Sequence, residues 1–426
     1  MKKILLLVVV LVVDVLSQDF NLTGAGARAE GFGGAFIGLA DDATAVVWNP
    51  AGLTQLERAE ASVVTRFVSE KSAFKYNLDP TLNSDDKQSH FSLNFGSFAL
   101  PLFLGNMKVI LAAAYQRQLD FYYSKTERYE YTSGPSTVKV LNRNEDRGGV
   151  NTITPAVAVR LTPFLSAGMS VNIWTGNLDS RSRFEVIDFR RNIYRGDFDY
   201  SGLNFVIGGL LDFEGMKNGF PLKFGVTMRT PFTLEGKGPY DVDEEMAVLL
   251  PLPGTATFDM TQQIDMPFML GFGTSYRIGE NFTVAADYEL RNYSNKKIKT
   301  EATERSSGGS GTSENDISES KSDFNEFRIG AEYLIVLESS VIPLRLGYKT
   351  VPTPYANYTY DINDNEYEPT NTQVKGSAIS FGSGYISDAF ALDIAYSLIS
   401  FTQKYDTDGQ IDYSTGTLST SVIIYF

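Results

Sequence analysis

Along much of the chain, apolar and polar residues alternate with a period of two. The clearest runs place Leu222, Phe224, Val226 and Met228 on one face, and Phe282, Val284, Ala286, Tyr288 and Leu290 on another. Phe327, Ile329, Ala331 and Tyr333 repeat the pattern, as do Ile342, Leu344, Leu346 and Tyr348. So do Phe390, Leu392, Ile394, Tyr396 and Leu398. The positions between hold Lys223, Asp287, Arg328, Glu332, Arg345 and Asp393. A period of two belongs to β-strands, whose successive side chains point to opposite faces. The pattern predicts fourteen strands, near 62–72, 88–100, 106–122, 150–162, 164–178, 200–213 and 220–232, then 266–278, 281–294, 323–336, 340–350, 374–386, 389–402 and 416–426.

The connections say what kind of sheet these strands build. After each even-numbered strand the gap is tight: Pro101–Gly105, Pro163, Glu214–Gly219, Gly279–Glu280, Leu337–Ser339 and Ser387–Asp388. After odd-numbered strands the gaps are mostly long and polar, as in Ser124–Gly149, Asn295–Ser322 and Val351–Gln373. A soluble sandwich has no reason to keep its short turns at one end. A transmembrane antiparallel β-barrel does, because its periplasmic turns are short and its outer loops long. Its apolar face then meets lipid and its charged face a polar lumen. Segments 182–198 and 254–266 fit strands that run beyond the membrane, which leaves room for a count of about twelve to sixteen. The last strand sets Leu418, Thr420, Val422, Ile424 and Phe426 on one face. An ending on an outward Phe426 resembles the terminal assembly signal of bacterial outer-membrane proteins, and makes the barrel assembly machinery an expected partner.

Composition narrows the picture. The chain carries 23 Tyr and 29 Phe against 2 Trp, which suits interfacial girdles and lipid-facing strands better than a soluble carbohydrate binder. It has no Cys and one His, His90, so neither a disulfide scaffold nor a thiolate or imidazole metal site is expected. A formal charge of −14 argues against nucleic acid, whose phosphates require a basic surface. Lys2 and Lys3 before the apolar run Ile4–Val13, with Val15 and Ser17 small at the cleavage positions, read as a signal peptide over residues 1–17. Ten apolar residues are too few to span a bilayer as a helix. A small-residue segment follows: from Gly24 to Ala40, eleven of seventeen residues are Gly or Ala. Such a segment cannot build its own core, but it suits a confined space where backbone lies close to a wall. The turn signal Asn49–Pro50–Ala51 ends it.

At this point the chain resembles the outer-membrane transporter family for long-chain fatty acids and other hydrophobic compounds. Residues 21–53 are similar to that family's plug or hatch, with Asn49, Pro50 and Ala51 matching its Asn-Pro-Ala motif. The pairs 266–273 with 286–294, and 327–333 with 344–348, resemble its characteristic strands. The resemblance implies residues 18–60 as a hatch inside a barrel formed by residues 61–426. It also implies passive inward passage of an apolar ligand, which is released sideways through a gap in the wall. Family members open that gap with a glycine that kinks the third strand. Here the matching stretch, Ala112–Phe121, has no Gly, so the gap is expected to be absent or made differently, with Pro155 in the next strand one alternative.

Candidate chemistry is sparse. Met246, Val248, Leu249, Leu250 and Leu252 lie in a run of apolar residues inside an otherwise acidic loop, and read either as a capture site for a hydrocarbon or as a patch folded onto the rim. Trp48 reads as a ligand contact or as packing against the wall. Gly24, Gly26 and Ala29 formally fit a dinucleotide pattern but lack its flanking strand and helix. Asp361, Asn363 and Asp364 lack the Gly and Glu of a calcium loop. Ser89 and His90 are adjacent, so on a strand they point to opposite faces and cannot be a nucleophile and its base. The expectation is therefore a monomeric outer-membrane barrel, with no catalytic residues, cofactor, metal or nucleic acid. Its partners would be membrane lipid and a hydrophobic small molecule. The alternatives are a plugged surface or interaction barrel, then a general diffusion pore.

Overall fold

The computed structural model describes residues 24–77, 83–105, 107–133, 136–187, 190–246, 254–306, 308–361, 366–406 and 408–426. Residues 1–17, expected as a signal peptide, and Val248, Leu249, Leu250 and Leu252 lie outside them. The described residues form nineteen strands: β1 (Glu60–Tyr76), β2 (Ser84–Leu104), β3 (Met107–Asp120), β4 (Tyr123–Ser133), β5 (Ser136–Thr162), β6 (Leu165–Val186), β7 (Arg190–Asp212), β8 (Leu222–Arg229), β9 (Phe232–Met246) and β10 (Gly254–Met266). They continue as β11 (Met269–Ile278), β12 (Phe282–Arg291), β13 (Lys297–Glu304), β14 (Ser310–Asp316), β15 (Glu326–Val336), β16 (Val341–Asp361), β17 (Glu366–Ile386), β18 (Phe390–Tyr405) and β19 (Gly409–Tyr425).

Fourteen of these close into one antiparallel barrel: β1, β2, β3, β5 to β8, β11, β12 and β15 to β19. They correspond one to one with the fourteen strands predicted. Closure is made by β1, where Glu60 faces Ala99 of β2 on one side and Tyr425 of β19 on the other. The Phe426 N–H donates to the Ala59 carbonyl at 2.9 Å and its ring lies 6.4 Å from Phe98, so both ends of the wall meet at the rim of the short turns.

The long gaps predicted as loops are largely strand instead. Residues 124–149 form β4 and the first part of β5, residues 295–322 contain β13 and β14, and residues 351–373 continue β16 and β17. The reason is pairing. Val140 of β5 already faces Val186 of β6, β9 lies on the outer part of β7, and β10 carries β13, which carries β14. Each extension thereby satisfies its backbone groups on a neighbour rather than in water.

Exposure is inverted relative to a water-soluble protein. Phe103 is 71% exposed and Phe91 68%, whereas Arg345 is 4% exposed and Asp393 1%. Apolar side chains face out and charges face in, the arrangement that hydrocarbon around a closed barrel requires. Among the described residues no helix is long and apolar enough to cross a membrane; the strands cross it.

The segment before β1 holds two short helices, α1 (Ala27–Gly31) and α2 (Ala45–Trp48), and the 3-10 turn Pro50–Gln55. It has no core of its own. Phe32, Phe36 and Leu53 are buried against inward-facing Phe95, Ile110, Ala156 and Ala285 of the wall.

Candidate functional site: the lumen and a break in its wall

Glycines let the segment approach the wall. Gly168 of β6 and Gly208 of β7 face each other across their ladder, as do Gly225 of β8 with Gly273 of β11, and Gly330 of β15 with Gly347 of β16. A Cβ on any of the six would come within 2.6 Å of segment atoms: Pro50 at Gly168, Asn49 at Gly208, Ile37 at Gly225, Gly38 at Gly273, Phe32 at Gly330 and Gly33 at Gly347. Backbone there lies where wall side chains would otherwise project.

Polar contacts fix the register. Asp287 Oδ2 accepts the N–H groups of Phe36 and Ile37 at 2.7 and 2.8 Å. The Asn49 amide donates to the carbonyls of Ile37 at 3.0 Å and Gly209 at 3.1 Å, while its Oδ1 accepts the Ala51 N–H at 3.2 Å. Asn49 thus ties the turn at Pro50 to a second part of the segment and to the wall. Trp48 Nε1 donates to the Ala25 carbonyl at 2.9 Å, with the Arg328 guanidinium 5.5 Å from its ring.

Charges continue these contacts. Arg28 pairs with Asp41 inside the segment and reaches Glu332 on the wall at 3.4 Å. Glu332 also takes Arg345 Nε at 2.6 Å, and Arg345 Nη1 meets Asp393 at 2.5 Å. Arg291 and Arg328 share Glu289 and Glu326 at 2.5 to 3.0 Å. Burial would raise the Asp41 carboxyl, but the Arg28 guanidinium beside it, together with Lys223, more than reverses this and holds it below the usual carboxylate range. Asp42 goes the other way: burial pushes it up and Arg28 only partly offsets that.

The outer lumen divides into two halves. Over β5 to β13 it is filled by an apolar cluster that includes Trp174, Phe198, Tyr200, Phe258, Tyr293 and Phe324. On the other side, between the segment and β1 to β4 and β15 to β19, lies a cavity of about 800 Å³. Its floor includes Trp48, Arg66, Arg328 and Lys349. Higher up, Tyr355, Phe401 and Tyr413 stack at 4.7 to 5.9 Å.

This cavity reaches a break in the wall. The β2–β3 ladder runs from Leu104–Met107 to Phe95–Gln116 and stops. Beyond it, residues 84–93 of β2 pair with β1, and β3 pairs with β5. Both strands change register at this height: Asn94 is the extra residue on β2, between Leu93 and Phe95, and Gln118 is the extra residue on β3, between Arg117 and Leu119. A bulge bends its strand and adds local twist, so two bulges side by side part the strands. Just beyond the bulge, Gly149 faces Asp120, and Gly148 and Gly149 have φ of 107° and 158°. Pro155 faces Ala113 in an unshifted stretch of the β3–β5 ladder; on its other side the β5–β6 pairing lapses at Thr154 and Pro155 without a change of register, and the end of the β2–β3 ladder lies elsewhere.

The structure brings Trp48, Asn49, Pro50 and Ala51 to the lumen, with Trp48 on the cavity floor. Met246 ends β9 opposite Arg190. Most of the loop to which it leads lies outside the described residues. The wall glycines, the paired bulges and His90 beside the break were not singled out as site residues from sequence. Glycine spacing within period-two strands was the one available signal.

Comparison with known proteins extends the geometry. No curated protein sequence matches the chain. The Pseudomonas putida toluene transporter TodX matches in structure with a TM-score of 0.68, over 95% of this chain and 99% of that one, at 14% identity. The Ralstonia pickettii toluene transporter TbuX matches with 0.60 at 17% identity, covering 96% of this chain and 100% of that one. A Pseudomonas aeruginosa FadL homologue matches with 0.61 at 12% identity, covering 95% and 98%. These likenesses bear out the expected resemblance at the level of the fold. The chain is a bacterial outer-membrane barrel. A family model described as BamG matches residues 33–334, well over half of its length, and the chain belongs to the BamG family.

Proposed function

We propose that the protein admits hydrophobic small molecules through the outer membrane, with residues 18–60 as a hatch and the β2–β3 break as the way out. One observation carries this reading: the cavity opens onto an unpaired stretch of wall whose outward residues, Phe91 and Leu93, are exposed and apolar. An apolar molecule leaving there enters hydrocarbon directly and never needs water. The toluene transporters with the same fold support the ligand class. Aromatic rings line the upper part of the cavity, and below them Arg66, Arg328 and Lys349 stand beside the carboxylates Glu30 and Glu326, so both a long-chain fatty acid and an aromatic hydrocarbon are kept as proposed ligands. Capture by Met246, Val248, Leu249, Leu250 and Leu252 in the outer loop remains part of the proposal.

A second reading has its own support. Membership in the BamG family points to association with the barrel assembly machinery, and the many contacts that hold the segment suit a barrel that stays plugged. Phe426, packed near Phe98 at the short-turn rim, is the contact proposed for that machinery.

Trp48 reports on the choice. In a Trp174→Phe background it is the sole tryptophan. Purified protein is titrated with a long-chain fatty acid, a small aromatic and a sugar while its emission is followed. Saturable change with either apolar probe and none with the sugar supports uptake. Silence toward both apolar probes favours the plugged barrel.

A further inference from the structure

Where the β2–β3 ladder stops, side chains take over. The ring of His90, on the cavity side of β2, stacks on Tyr122 with centroids 4.6 Å apart and planes at 25°. Its Nε2 lies 3.3 Å from Asp120 Oδ2, and Asp120 is steadied by Arg117 at 3.6 Å. One turn of the pleat further out, the Ser124 N–H donates to Gln88 Oε1 at 3.2 Å, and Lys125 stands 3.9 Å from Asp86. These contacts join the outer part of β2 to β3 and β4. All of them can be broken without unzipping a ladder.

We propose that the outer half of the β2–β3 seam is a closed gate in the barrel wall, held shut by a clasp in which His90 stacks on Tyr122 and stands beside Asp120. Three features set it apart from ordinary wall. Bulges at Asn94 and Gln118 mark its lower end as a fixed hinge, since below them the ladder is continuous from Phe95–Gln116 to Leu104–Met107. The cavity reaches the clasp from inside, with Gln88, His90, Asp120 and Tyr122 among its lining. Outside, Phe91 and Leu93 mark the seam as lying at lipid depth. The stacked rings and the polar contacts across the seam favour the closed state, and because among the described residues no ladder bond crosses it, opening is local rather than a loss of the barrel. His90, Asp120 and Tyr122 are positioning residues for the seam. What passes through the gate rests on the uptake reading; whether the gate opens does not.

The chain has no cysteine, so labels go only where they are placed. Nitroxides on Ser89→Cys and Ser124→Cys, both exposed, span the seam. Their distance distribution is measured by pulsed electron resonance in lipid nanodiscs, without ligand. The parent protein gives a single narrow distribution. His90→Ala and Tyr122→Ala broaden it and shift it to longer distance, and Asp120→Asn has a smaller effect in the same direction. Tyr122→Phe, which keeps the ring, stays like the parent. Unchanged distributions in folded His90→Ala and Tyr122→Ala overturn the proposal. If one of these fails to fold, the other decides alone. A seam that widens in a protein that binds neither fatty acid nor small aromatic leaves the gate standing and removes the uptake reading.

Discussion

Gly330 and Gly347 face each other across the β15–β16 ladder, and the backbone of Phe32 and Gly33 lies against the pair. A Cβ at Gly347 would fall 2.0 Å from the Gly33 nitrogen, and one at Gly330 would fall 2.3 Å from the Phe32 carbonyl oxygen. Gly33 and Gly34 themselves hold φ of 67° and 81°, which other residues adopt at a cost, so the segment cannot easily move aside. Gly347→Val is therefore expected to push residues 24–56 off the wall while the outward face of the barrel stays intact. In planar bilayers it should raise ion conductance several-fold, with the heat-modifiable gel mobility of the barrel retained. Gly96→Ala is the control: its Cβ would meet nothing nearer than the Ser62 carbonyl oxygen at 3.8 Å.

Asp287 holds the middle of the segment by accepting two backbone N–H groups on one oxygen. Asp287→Ala leaves both donors buried without that acceptor, at about 1–3 kcal/mol each. Hydrogen exchange in a peptide covering Phe36 and Ile37 should then speed up by roughly ten- to a hundred-fold, since about 1.4 kcal/mol is a factor of ten. Asp287→Asn keeps an acceptor oxygen and should fall between. Exchange unchanged in the alanine variant would show that the segment is held without this contact.

The wall was legible in the sequence, and the reason is physical. In a barrel that faces lipid on one side and a polar lumen on the other, every wall residue is forced to choose a side, so Phe390, Leu392 and Ile394 alternate strictly with Ala391, Asp393 and Ala395. The short turns were legible for the same reason. The outer extensions were not, because beyond the membrane that constraint lapses: β14, Ser310–Asp316, has no apolar alternation to read. The glycine belt was visible only as weak strand positions, since the meaning of Gly168 or Gly347 depends on which backbone lies against it. The break in the wall was sought as a glycine in the third strand and, for want of one, expected to be absent or made differently, with Pro155 as one alternative. It is made instead by one extra residue on each of two strands, and a one-residue register change at Asn94 or Gln118 leaves no mark on composition.

Arg345 is fully buried between Glu332 and Asp393. Removing it alone leaves the Asp393 carboxylate stranded inside the barrel and Glu332 with Arg28, at 3.4 Å, as its remaining cation, a change that costs about 3–5 kcal/mol for a buried pair. Arg345→Met should lower the temperature at which the barrel loses its compact gel mobility. Adding Glu332→Gln and Asp393→Asn should restore much of the loss, because the charges left behind are then gone. A triple variant no better than the single one would mean that the packing of the Arg345 side chain, not its charge, is what matters.

Arg28 and Asp41 make the N-terminal segment sensitive to acid in a defined direction. Arg28 holds the Asp41 carboxyl below its usual range against the opposing effect of burial. A carboxyl depressed in the folded state contributes stability that is present above its unfolded pKa, about 4, and is lost as pH falls through the lower folded value. Asp42 has the opposite sign, since its raised carboxyl favours the folded state more in acid than at neutral pH. Comparing the parent with Arg28→Gln weights the first effect, because Arg28 is the main partner that lowers Asp41. The parent should be the more stable by a margin that is constant from pH 7 to about pH 5 and narrows below about pH 4. Urea unfolding of the detergent-solubilised protein, or urea-induced conductance in bilayers, measures that margin. A gap that does not narrow in acid would mean that Arg28 stabilises the segment through its packing on Phe36, 5.6 Å from the ring centroid, rather than through the carboxylates of Asp41 and Glu332, with both of which it pairs.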